Sequence, residues 1–123
     1  MTSNKSVLVV GLVPELVDFS GLPGMNAEKV RAGIAGQVAS IAELGYRAQH
    51  VFIDLGETAE SVLKAKLAEE AFDCIVIGAG VRLPAHHLLF EKVINIVHAQ
   101  APSAKIGFNT NPGDTLTAVQ RWT

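Results

Sequence analysis

Arg82 and His86 stand four positions apart, the first inside a glycine turn and the second just beyond it. A guanidinium followed one helical turn later by an imidazole is a pairing that can hold an anion and move a proton near neutral pH. The turn is Gly78-Ala79-Gly80-Val81-Arg82-Leu83-Pro84, directly after the apolar run Cys74-Ile75-Val76-Ile77. Gly78 and Gly80 would let the backbone approach a ligand closely, and the free amides of a helix opened by Pro84 would add partial positive charge. Arg82 would supply a full charge and a planar fork suited to carboxylate or phosphate. An anion subsite is therefore expected here. The alternative is a plain tight turn, with Arg82 paired to Asp54, Glu15 or Asp18.

Other candidates fall where strands end. Gly11 closes the first apolar run and Asp54 the second, and Asp54 joins His86 as a candidate for proton transfer. Asn109 and Asn111 flank Thr110 after the fourth. Asn111 suits the N-cap of a helix announced by Pro112-Gly113-Asp114, whereas Asn109 could turn its amide to a ligand carbonyl or hydroxyl. By helical phase His86 shares a face with Phe90, Val93 and Val97 and tilts toward the sheet; it could equally be a packed histidine bonded to a carbonyl. His87 and His98 fall on a wet face, and His50 precedes a strand core. Adjacent His86 and His87 make a poor metal pair on a helix, so no metal is expected.

Several well-known sites are excluded by spacing. Ile-Val-Ile-Gly-Ala-Gly is how many dinucleotide-binding strands end, but Leu83 stands where the third glycine belongs, and the unit lies third in the chain. The Gly-Lys-Ser/Thr ending of a P-loop is absent. The first loop has one serine, and the chain one Tyr and one Trp, too little to cradle and sandwich a flavin. Strands one and three end in glycine, where a phospho-acceptor receiver needs aspartate. No Ser, Cys or Thr sits in a Gly-x-Ser-x-Gly elbow. No cofactor is expected, and covalent catalysis has no visible nucleophile.

The elements that must position these residues alternate between apolar runs and amphipathic stretches. Strands are expected at Ser6 to Leu12, Tyr46 to Asp54, Phe72 to Ile77 and Lys105 to Asn109. Between them lie helices capped by Asn26 and closed by Gly45, then from Ala59 to Glu70, then from Pro84 to Ala99, with a last one after Asn111. Parallel strands with right-handed crossovers most simply give the order 2-1-3-4. The expected fold is thus α/β, a three-layer doubly wound four-stranded parallel sheet. It resembles the flavodoxin-like or Rossmann-like sheet in architecture only, and no motif carries a family's function with it.

This order puts helix one on one face and helices two and three on the other, leaving strands three and four half bare. Either the terminal helix, with Leu116, Val119 and Trp122, folds back beside helix one, or a second subunit covers the gap. The broad apolar surface of helix three and a mean hydropathy of +0.31 point to a homo-oligomer, a dimer in the simplest case. All four strands then end on one edge, beneath the long loop from Val13 to Met25, a candidate lid or a surface loop pinned by Pro14 and Pro23.

Length and composition bound the rest. The 123 residues suit one domain spanning 1–123. Ten basic against twelve acidic residues give no cationic field for nucleic acid. The lone Cys74 fits a buried core thiol. Gly11 and Pro14 interrupt the apolar start before it could serve as a signal peptide, and no run is long enough to span a bilayer, so a cytoplasmic protein is the expectation. Three functions remain open: an acid/base enzyme on a small anionic metabolite, a noncatalytic small-ligand binder, and a homo-oligomeric interaction module working through Val93 and Ile94 of helix three.

Overall fold

The computed structural model describes residues 4–123. β1 (Ser6–Leu12) and β3 (Cys74–Ile77) are buried along their whole length, as central strands of a parallel sheet must be. β2 (Arg47–Ile53) and β4 (Lys105–Phe108) form the edges and carry exposed residues. All pairings are parallel, in the order 2-1-3-4, with Val7 opposite Ala48 on one side and Cys74 on the other. The register continues from Cys74 to Lys105.

Local chemistry explains where the helices begin and stop. α1 (Ala27–Glu43) starts at Asn26, whose side chain accepts from the Lys29 amide at 2.9 Å. It ends ahead of Gly45 at φ 93°, a backbone that favours glycine. α2 (Ala59–Glu69) follows the Asp54 turn. Pro84 opens a single 3-10 turn (Pro84–His86), and α3 (His87–Gln100) begins only after it. The third helix therefore starts one turn later than the proline suggests. Pro112–Asp114 is a similar turn leading into α4 (Thr115–Trp122).

Two cores lie on opposite faces of the sheet. Leu8, Val10, Ile75 and Ile77 pack against Leu63 and Leu67 of α2 and Val93 and Val97 of α3. Val7, Cys74 and Val76 pack against Ile41 of α1 and Ala118 and Val119 of α4. The terminal helix thus fills the half-bare face beside α1, and no second subunit is needed there. Close approach is built in. A Cβ on Gly33 of α1 would sit 3.4 Å from Pro112, and one on Gly107 of β4 would sit 3.2 Å from the Trp122 ring. Val93 is fully buried, so it belongs to the core and cannot be part of an assembly surface. Among the described residues no helix is long and apolar enough to cross a membrane.

Candidate functional site

The carboxyl edge of the sheet gathers the four loops that the topology predicts, and most of the polar groups predicted to form a site there are already engaged. Asp54 sits in the turn between β2 and α2. Its carboxylate accepts from the amides of Gly56, Thr58 and Ala59 at 3.0 to 3.1 Å and from the Thr58 hydroxyl at 2.7 Å. The Thr58 hydroxyl, then the Gly56 amide, hold this carboxyl below the ordinary aspartate range. It satisfies the orphan amides of α2 as an ionised acceptor, which is the opposite of what a general base poised near neutrality requires.

Asn109 is buried at 5% exposure. Its Oδ1 accepts from the Ala79 amide at 3.2 Å, and its Nδ2 donates to the Thr115 hydroxyl at 3.0 Å. The amide is consumed in joining the β3 turn to the start of α4. Asn111 caps the turn before α4, accepting from Gly113 N at 2.7 Å, while Asp114 accepts from the Thr110 amide and hydroxyl and from Asn111 N. This reciprocal arrangement is a capping box.

Arg82 bonds to neither Asp54, Glu15 nor Asp18. Its Nε donates to the Ile77 carbonyl at 3.0 Å, its Nη2 to the Asn109 carbonyl, and its guanidinium stacks 5.1 Å from the centre of the Phe108 ring. Partial burial lowers its pKa, and the charge of Asp114 works in the other direction. The guanidinium staples the ends of β3 and β4. The turn amides are also engaged, with Gly78 N bonded to Val10 O at 2.8 Å, Val81 N to Gly78 O and Arg82 N to Ala79 O.

The glycines face protein. A Cβ on Gly11 would lie 3.3 Å from the Phe52 ring, one on Gly78 would lie 3.2 Å from the Val10 carbonyl, and one on Gly80 would lie 3.4 Å from Leu12. His86 is half-buried at the end of the 3-10 turn, off the phase of α3, and among the described residues its ring makes no hydrogen bond. His87 Nδ1 lies 3.3 Å from the Pro84 carbonyl. No group of three His, Cys, Asp or Glu suited to a metal occurs among the described residues.

The long loop is tied down. Val13 N bonds to Ile53 O, Ser20 N to the Asp18 carboxylate at 2.9 Å, and Glu15 pairs with Arg31, which stacks 5.0 Å above Phe52. Where this loop meets the Asp54 turn there is an open hollow of about 590 Å³, lined by Leu16, Asp54, Leu55, Gly56 and Glu57. Its lining includes neither Arg82 nor His86. Leu16 and Leu55 are 40% and 48% exposed. The sequence reading missed Leu16, Leu55, Gly56 and Glu57; the only signal was an apolar residue shortly after each of two strand ends, β1 and β2. No protein-family model matches the chain, and no curated protein is significantly similar to it.

Proposed function

We propose that this chain is a noncatalytic small-ligand-binding protein working at the carboxyl edge of its sheet. The observation that carries this reading is the hollow beside Asp54. It falls within the usual size of ligand sites, at the edge where open α/β sheets take ligands. Exposed Leu16 and Leu55 suit an apolar body, and the Glu57 carboxylate at the rim favours a neutral or cationic ligand over an anion.

The acid/base enzyme on a small anion has less support, because Asp54, Asn109, Asn111 and most of the Arg82 fork serve the fold. Its remaining basis is the half-buried His86 ring beyond the Arg82 turn.

A thermal-shift screen with small amines, neutral apolar compounds, phosphates and carboxylic acids separates the two readings. Expected is stabilisation by an amine or neutral compound that is recovered unchanged, lost in Leu55→Glu and kept in Arg82→Lys. Stabilisation by an anion that disappears in Arg82→Lys, with turnover abolished by His86→Ala, would overturn the proposal and support the enzyme. No stabilisation by any compound would reject both.

A further inference from the structure

β4 leaves one side of its backbone without a strand. Lys105 N donates to Asp73 O across the β3 pairing, so in the alternation of a parallel strand the amides and carbonyls of Ile106 and Phe108 point away from the sheet. The Phe108 carbonyl is met by Arg121 Nη2 at 2.7 Å, and the Ile106 groups face outward.

The two faces of this edge differ in chemistry. On the α3 side, Phe108 is 40% exposed and meets Phe90 edge-on at 5.7 Å, with Ile106 and Ile94 half-buried beside it and the Arg82 guanidinium, its hydrogen bonds spent on the Ile77 and Asn109 carbonyls, against its ring. On the α4 side, Lys105 shares the face of Gly107, which lies under Trp122, and Arg121 reaches over from α4. Neither Lys105 nor Arg121 has an ion pair among the described residues. The carboxylate of Asp73, whose carbonyl takes the Lys105 amide, is held by the Ser6 amide, and that of Asp114 by Thr110 and Asn111. The opposite edge, β2, is unlike this: its exposed residues are Arg47 and His50.

We propose that the β4 edge is a docking site for an extended acidic segment of another protein, added as a fifth strand. A strand that alternates acidic and apolar side chains sends its acids toward Lys105 and Arg121 and its apolar residues toward Phe108. Cations alone would be the common device against edge pairing, but such protection gives no reason to expose Phe108 and Trp122 beside them. A second copy fits poorly, because antiparallel pairing of two β4 edges would bring like cations together on one face.

Trp122, the chain's only tryptophan, reports from the site itself. The full chain is titrated with an end-blocked octapeptide of alternating Glu and Val, with its Lys-Val counterpart, and with a Glu-Val peptide of the same composition in paired blocks. Expected is a saturable change in Trp122 emission with the alternating acidic peptide alone, about fivefold weaker for each of Lys105→Glu and Arg121→Glu. Both variants are checked for an unchanged far-ultraviolet spectrum, and the double variant should bind the Lys-Val peptide instead. Equal response to the block peptide would mean charge attraction without strand addition and overturn the proposal. So would no response to any peptide, or a dimer in sedimentation that Arg121→Glu dissociates.

Discussion

Asn109 and Thr115 hold each other inside the protein, the amide Nδ2 donating to the threonine hydroxyl at 3.0 Å while the two residues are 5% and 1% exposed. The Thr115 hydroxyl in turn donates a hydrogen bond to the Pro112 carbonyl at 2.8 Å. The end of β4, the β3 turn and the start of α4 are thereby one hydrogen-bonded unit.

Asn109→Ala should therefore destabilise the fold by about 2–4 kcal/mol, because it strands the Ala79 amide and removes the donor to Thr115 in a buried setting. Urea unfolding measures the loss. A change smaller than about 0.5 kcal/mol would show that water takes over these bonds and that the amide is free for other work.

Arg82→Lys should cost about 1–2 kcal/mol, since an ammonium cannot donate to the Ile77 and Asn109 carbonyls as a fork while lying over the Phe108 ring. Arg82→Ala should cost no less. If lysine restored full stability, the planar staple would be the wrong account and charge alone would suffice.

Acid should weaken the fold through Asp54 and Asp114. Both carboxyls are held below the ordinary 3.8, chiefly by the hydroxyls of Thr58 and Thr110 respectively. The unfolded chain then binds more protons than the folded one in that range. The stabilisation is complete above about pH 5 and is lost as pH falls through 3.8 and below. Urea midpoints from pH 7 to 3 should fall, and fall less in Asp54→Asn with Asp114→Asn. Identical slopes in both proteins would place the acid sensitivity elsewhere, with Glu15 and Asp18 next in line.

Two glycine substitutions should have opposite signs. Gly36 lies in α1 with nothing near its missing side chain, so Gly36→Ala should stabilise by about 0.5–1 kcal/mol through helix propensity. Gly78→Ala puts a Cβ 3.2 Å from the Val10 carbonyl where the chain leaves β3 against the central strand β1, a place where neither backbone can yield cheaply, and should cost about 1–3 kcal/mol. Thermal melts of the pair settle it, and a neutral Gly78→Ala would count against close approach as the reason for glycine there.

Much of the fold was legible because its signals are local. The continuous apolar runs at Val7–Val10 and Cys74–Ile77 mark buried parallel strands, and Asn111-Pro112-Gly113-Asp114 marks a helix start that the structure reproduces with its capping box. The edge chemistry was harder, since whether a polar group is free depends on partners far along the chain. Asn109 meets Ala79 and Arg82 across a β-α-β unit, which no spacing rule announces. Asp54 was different: its partners Gly56, Thr58 and Ala59 lie within five positions, so its capping role could have been read from the turn. The start of α3 was misplaced because Pro84 favours the first turn of any helix, and here that turn is 3-10.

The 2-1-3-4 order also sets a timetable. β1 comes first in the chain yet lies at the centre of the sheet, and its second neighbour, β3, arrives only after two helices and the β2 strand. A ring of contacts that must close from Val7 to Cys74 is entropically expensive to begin and rewarded only once complete. Docking of β3 onto β1 is thus the step that should govern how fast this protein folds, with β3, α3 and β4 as the shorter-range half able to assemble ahead of it.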